Sequence, residues 1–297
     1  MTETQRRFGP IPDGPPDYPL VDVHVHVGPS DSGEIYYPTL SGEAYVELAA
    51  AAGVRVACAF APYRTDGYRA ANAALREWAA GTGENGVGSG VGSGVGKGVE
   101  VLAFARLGGP VVPFAQLPPK PCQVRRRISP RSRRRPTDVP DSLDGFGGVK
   151  LLPHLDGLPD DETFEAISDR ALPVLVHCGR FVPPQWVAKA VLPRVSGPVV
   201  LGHLGAYPHE ARMLETALSL AAEHPRLYLE TSGIWDSAFV RRAVEAVPHK
   251  VLFGSDAPLT TPAVAWQHVA TAVDDPVAMR LLGSTTPTAV LGRGVVS

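Results

Sequence analysis

Residues 20–27 read "LVDVHVHV", and the run ends at Gly28-Pro29. Aliphatic and β-branched residues surround two histidines, without the strict polar alternation of a half-exposed strand. Buried parallel strands have this composition, because helices cover their sheet. Seven similar runs follow: "VRVACAFAP" (54–62), "VEVLAFARL" (99–107), "GGVKLLP" (147–153), "LPVLVHCG" (172–179), "PVVLGHLG" (198–205), "RLYLETSG" (226–233) and "KVLFGSDAP" (250–258). Helical patterns separate most of them. "SGEAYVELAAAAG" begins at a Ser N-cap and stops at Gly53, and "TDGYRAANAALREWAAG" begins at Thr65 or Asp66 and stops at Gly81. "DETFEAISDRA", "PQWVAKAVL", "HEARMLETALSLAAEH" and "SAFVRRAVEAV" fill the later gaps. Strands alternating with helices through short links predict βα units and a parallel sheet. Eight units in 297 residues predict an α/β fold, a closed (β/α)8 TIM barrel, rather than an open doubly wound sheet.

The composition narrows the function classes. Hydrophobic residues make up 44%, enough for one large core, and residues 1–297 are read as a single barrel domain. Lys plus Arg number 28 against 30 Asp plus Glu, a balance that gives no overall drive towards nucleic acid or an anionic membrane. The three cysteines, Cys58, Cys122 and Cys178, form no CxxC and suggest no disulfide framework. The first residues lack the apolar core of a signal peptide, and no run approaches the ~18 apolar residues of a membrane span. The expectation is a cytoplasmic protein acting on a small molecule, with a homodimer possible.

Two stretches interrupt the alternation. Residues 86–98, "GVGSGVGSGVGKG", form a Gly-rich repeat of flexible-linker type. The neighbouring "GTGENG" (81–86) has dinucleotide-loop spacing but follows a helix instead of a strand, so it reads as loop. Residues 108–145 are Pro/Arg-rich and include Lys120, Arg125, Arg126, Arg127, Arg131, Arg133, Arg134 and Arg135. They stand where a third barrel helix belongs and read as a long solvated loop. A basic lip attracting an anionic substrate or a polyanion is the alternative.

The chemistry lies at strand ends. His24 and His26 are two apart, so strand geometry turns both to one face. Alone they are equally a metal-ligand pair or a hydrogen-bonded structural pair. However, His177, His203 and Asp256 end the fifth, sixth and eighth runs in the same way. A buried imidazole or carboxylate costs several kcal/mol, to order of magnitude, unless paired or metal-bound. Five such residues at the end where barrel enzymes carry their active sites point to one divalent-metal site. Cys178, one residue past His177, alternates away and reads as packing.

The motifs "VDVHVHVG", "GGVKLLPH", "LPVLVHCG", "VVLGHLG", "LYLETSG" and "VLFGSDAP", in that order over residues 20–259, resemble the amidohydrolase superfamily. More narrowly, they resemble its amidohydrolase-related branch of aminocarboxymuconate-semialdehyde decarboxylase, aromatic-acid decarboxylases and lactone or amide hydrolases. The resemblance implies a metal-dependent barrel enzyme with His24, His26, His177 and Asp256 as ligands. It makes Asp256 the acid/base residue as well, and His203 the catalytic histidine. The implied cofactor is one divalent ion, zinc ahead of manganese. Leu152 stands where that branch has a histidine, and His154 follows the proline. Continued strand geometry would give Lys150, Leu152 and His154 a common face. Lys150, where some binuclear relatives carry a carboxylated lysine, is read as an ordinary substrate or ion-pair lysine. His154, Arg106 and Arg180 are the other substrate-binding candidates, each equally a structural or rim residue. Thr231, Ser232, Trp235 and Tyr63 are candidate pocket walls, while His209, His224, His249 and His268 read as surface residues. Metal-assisted hydrolysis of an amide, lactone or ester is the expected reaction. Non-oxidative decarboxylation and a non-catalytic metal-binding barrel are the alternatives.

Overall fold

The computed structural model describes residues 14–30, 38–64, 66–82, 98–109, 140 and 142–292. Within them lie eight strands: β1 (Leu20–His26), β2 (Val54–Phe60), β3 (Glu100–Leu107), β4 (Gly148–Leu151), β5 (Val174–Val176), β6 (Val199–Leu201), β7 (Leu227–Glu230) and β8 (Val251–Leu252). They pair in chain order, and every pairing is parallel. The seam between β8 and β1 closes through backbone hydrogen bonds. Val23 N donates to Phe253 O at 3.0 Å, His26 N to Ala257 O at 2.7 Å, and Asp256 N to His24 O at 2.9 Å. The expected (β/α)8 barrel is the observed fold.

Period-two alternation sorts the side chains into two cores. Val21, Val23, Val56, Cys58, Phe60, Leu102, Phe104, Leu175, Val200 and Leu252 fill the barrel interior. Their alternate neighbours, such as Val149, Leu151, Val174 and Val176, pack outward against helix residues including Ala49, Leu75, Ile167 and Leu214. β1 changes phase. Its register slips between Asp22 and Val25. Val21 and Val23 face the interior, yet Val25 lies in the outer core. A bulge re-aims the residues that follow it, and here it delivers His24 and His26 to the interior just above Val23.

Helices 42–51, 161–169, 184–190, 211–223 and 237–246 fall where expected. Ser41 caps the first, its Oγ accepting from Ala44 N at 3.2 Å. The helix expected from Thr65 or Asp66 instead begins at Arg69. Asp66 is not free to cap, because both its oxygens accept from Arg64. Residues 86–97 of the Gly-rich run, and 110–139 and 141 of the Pro/Arg-rich run, lie outside the described residues.

Candidate active site

All the candidate residues reach the C-terminal end of the barrel, by different local means. His24 and His26 stand at the end of β1, both touching Phe60 of β2 with ring centroids 5.1 and 4.6 Å apart. His177 directly follows β5. His203 does not continue β6. Val200 faces inward, so alternation would turn Gly202 inward and His203 away. A left-handed turn at His203 (φ 58°) and Leu204 (φ 50°) swings the imidazole back over the barrel mouth. Asp256 lies four residues past β8, also left-handed at φ 61°. Such backbone costs about 1–3 kcal/mol per residue and collects at functional sites.

The ring nitrogens and carboxylate oxygens converge. His24, His203 and Asp256 offer ligand atoms that all lie within 4.8 Å of one another. Asp256 Oδ1 is 3.3 Å from His26 Nε2 and 3.5 Å from His24 Nε2. His177 joins through His203, with its Nδ1 3.0 Å from His203 Nε2. The mouth therefore brings together all five expected residues, and the tightest trio includes His203 but neither His26 nor His177.

Electrostatics prepare these groups as ligands. Burial, followed by the Lys150 charge, pushes His24 well below the ordinary histidine range. Burial, followed by His203, does the same for His177. His26 falls to about 4, again mainly through burial. All three are neutral at pH 7, the form that carries a lone pair for a metal. Burial acts alone in the other direction on Asp256. It is outweighed by His24, His26 and His203, which hold the carboxyl far below the usual range. Asp256 Oδ1 is buried and faces the Nε2 atoms of His26 and His24. Neutral imidazoles facing such a carboxylate oxygen are a donor set that fits a divalent cation.

Around this centre lies a layer the sequence motifs concealed. Glu230, fully buried at the end of β7, accepts from His24 Nδ1 at 2.9 Å and from His203 N at 2.8 Å. It also accepts from Ser232 N at 2.7 Å and Ser232 Oγ at 2.8 Å. Its sequence signal was its position: Tyr228 packs on the interior core, and Glu230 is two residues further on. His203 Nδ1 lies 2.9 Å from Ser232 O. A carbonyl only accepts, so Nδ1 carries the proton and Nε2 the lone pair. Asp22 faces outward and accepts from Tyr45 Oη, Ser255 N and Ser255 Oγ, tying β1 to the segment that carries Asp256.

The four substrate candidates divide. Lys150 is 1% exposed, with Nζ 3.3 Å from His24 Nε2 and 4.7 Å from the Phe60 ring centre. Burial lowers it to about 7 against the opposing charges of Glu230 and Asp256. His154 comes to the site by a helical turn. β4 ends at Leu151, a short helix (Pro153–Asp156) follows, and the common face expected for Lys150, Leu152 and His154 does not form. The His154 ring lies 5.0 Å from His177 and stacks at 22° on Phe181. Arg106 is buried against Asp156, its Nε donating to Oδ2 at 3.0 Å. Arg180 is 53% exposed and paired with Glu210 on the rim.

The remaining candidates settle as follows. Ser232 touches both His24 and His203, Tyr63 lies by Arg106, and Trp235 lies by His268. Cys178 packs in the outer core, its thiol donating to Val182 O. His209 departs from its surface reading. Its backbone is left-handed (φ 68°), and the ring reaches the loop after β7, with Nε2 3.2 Å from Gly233 O and 3.3 Å from Trp235 N.

A protein-family model described as "Amidohydrolase" matches residues 131–293, more than half of the chain. No curated protein matches the sequence. Among solved structures, a probable 2-pyrone-4,6-dicarboxylic acid hydrolase from Acinetobacter baumannii, with citric acid bound, is similar at 16% identity and a TM-score of 0.60 over 92% of this chain and 99% of that one. A 5-carboxyvanillate decarboxylase from Sphingomonas paucimobilis aligns at 15% identity and TM-score 0.56 over 94% and 100%. A dihydroxybenzoic acid decarboxylase from Polaromonas, with bound manganese and the inhibitor 2-nitroresorcinol, aligns at 12% and 0.54 over 93% and 97%. At these identities the structures show a shared fold. No helix among the described residues is long and apolar enough to cross a membrane.

Proposed function

The chain belongs to the amidohydrolase family of metal-dependent enzymes, and on that premise we propose that it hydrolyses an amide, lactone or ester bond of a small organic molecule. His24, His26, His177 and Asp256 hold one divalent ion, zinc ahead of manganese because three imidazoles and one carboxylate make a nitrogen-rich set. When bound, such an ion supplies Lewis acidity, polarising a carbonyl and lowering the pKa of water to about 7. One ion follows from reading Lys150 as an ordinary substrate or ion-pair lysine rather than as a carboxylated bridge.

The chain's own groups supply the proton chemistry. Asp256 is a carboxylate at neutral pH, so it accepts a proton from the attacking water and later passes it to the leaving group. His203, with its lone pair at Nε2, orients the water. Once protonated there, it steadies the oxyanion. Lys150 and His154 border the substrate on the β4 and β5 side. The observation that carries this reading is geometric: ligand atoms of His24, His203 and Asp256 lie within 4.8 Å of one another at the barrel mouth, with His26 Nε2 3.3 Å from Asp256 Oδ1. Residues 1–297 act as one catalytic domain.

Decarboxylation is the second reading. It is favoured by Lys150, a buried amine at the centre that has no carboxylate within hydrogen-bond distance among the described residues and, when protonated, would hold a departing carboxylate. A panel of lactones, amides, esters and aromatic carboxylates, assayed on metal-loaded protein for acid release and for carbon dioxide, separates the two. Hydrolysis lost on Asp256→Asn supports the first reading. Carbon dioxide release without hydrolysis overturns it in favour of the second. Metal content after dialysis checks the ligands, since His24→Ala and His177→Ala should each lose the ion.

A further inference from the structure

We propose that Glu230 is the positioning residue of this site, a single buried carboxylate that sets the ring of His24 and the backbone of His203 together. The inference rests on the metal-site reading above and adds a residue to it.

Each of the two oxygens has defined work. Oε1 accepts from His24 Nδ1 at 2.9 Å, from His203 N at 2.8 Å and from Ser232 Oγ at 2.8 Å. Oε2 accepts from Ser232 N at 2.7 Å. A carboxylate accepts only, so the first contact places the His24 proton on Nδ1 and leaves the lone pair on Nε2. Nε2 is the atom that faces Asp256 Oδ1 at 3.5 Å. The second contact pins the left-handed turn at His203, the residue that strand alternation would have pointed away. One side chain thus decides which nitrogen of a ligand is available and which way the catalytic imidazole points.

The surroundings are fitted to this carboxylate. Glu230 is 0% exposed. Glycines stand on two sides. A Cβ on Gly202 would approach Oε1 to 3.2 Å, and one on Gly254 would collide with Oε2. A carboxylate behind a ligating imidazole raises its basicity and fixes its orientation. Losing such a partner typically weakens metal affinity about 10–100-fold.

Glu230→Gln keeps the shape but puts an amide donor among groups that all donate. The test measures zinc affinity by chelator competition, histidine tautomers by 15N NMR of the metal-free protein, and kcat and KM at saturating zinc. Expected results are a folded variant, roughly 10–100-fold weaker zinc binding, loss of the single Nδ1–H tautomer at His24, and lower kcat with little change in KM. Wild-type zinc affinity together with an unchanged His24 tautomer overturns the proposal. If Glu230→Gln does not fold, Ser232→Ala takes its place. It removes a donor to the same carboxylate and should weaken zinc binding by a smaller factor, with wild-type affinity again overturning the proposal. His24→Ala separates the two levels of inference. If that variant binds zinc like wild type, the metal-site reading itself fails. If it loses zinc while Glu230→Gln keeps it, only the positioning role fails.

Discussion

Replacing Asp156 by asparagine tests whether Arg106 belongs to the scaffold or to the substrate. The two side chains are 1% and 0% exposed, and Arg106 Nη2 lies 2.9 Å from Asp156 Oδ2. Asp156 Oδ1 also accepts from Tyr68 Oη at 2.8 Å, while Arg106 Nη1 donates to Ala61 O at 3.0 Å. At an effective dielectric constant of ~20, unit charges ~3 Å apart attract by about 5 kcal/mol. Asparagine keeps one hydrogen bond and a dipole but leaves the guanidinium charge uncompensated where water does not reach. Breaking one side of such a pair costs about 3–5 kcal/mol, a large share of the ~5–15 kcal/mol that holds a typical protein together. Urea unfolding followed by circular dichroism, with the slope checked for constancy, reads the loss directly. The double variant Arg106→Met with Asp156→Leu removes both charges and should recover most of that loss, with KM near the wild-type value. An Asp156→Asn protein within about 1 kcal/mol of wild type would refute the buried-pair argument. A KM raised manyfold in the stable double variant would return Arg106 to substrate binding.

Lys150 sets a basic-side slope in the metal-free protein. Its pKa falls from 10.5 to about 7 on folding, so the unfolded chain binds more protons between those values and stability rises with pH across that window. Lys150→Met should flatten the slope in urea titrations at pH 7 and 10, and an unchanged slope would contradict it. His154 acts on the acid side. Burial, followed by Arg106, lowers it to about 4, so stability is lost as pH drops from about 6.5 to 4. His154→Phe should reduce that loss, seen as a smaller drop in unfolding midpoint between pH 6.5 and 4. Gly254→Ala should impair the site more than the fold. The added methyl meets Glu230 and lies 2.9 Å from His24 Cβ, an overpacking of about 1–3 kcal/mol. Zinc titration should give weaker binding at unchanged secondary structure, and wild-type affinity would speak against the crowding.

Residues whose placement follows from alternation were legible in the sequence. His177 and Lys150 obey it, and the eight apolar runs became eight strands; His24 and His26 share a face as their spacing implies, but the bulge in β1 turns that face inward. Residues placed by turns were legible in identity but not in geometry. His203 reaches the mouth only through its left-handed backbone, and His154 only through the helical turn that ends β4 early. Partners distant in the chain were not legible. Asp156 lies 50 positions from Arg106 and Glu230 lies 206 from His24, and no local pattern announces such pairs. Glu230 was the residue within reach, because the period that turned Tyr228 inward continues two positions to the carboxylate.

The seam between β1 and β8 gives the site a schedule. His24 and His26 are made before the atoms that complete their surroundings, on Glu230 and Asp256, which come over 200 residues later. At ~5–20 residues per second that interval is roughly 10–45 s. During it the two histidines have neither the carboxylate that selects a tautomer nor the backbone of residues 253–257 that closes the barrel beside them. On the metal-site reading, the two imidazoles stay uncommitted until the residues around Glu230 and Asp256 have joined β1.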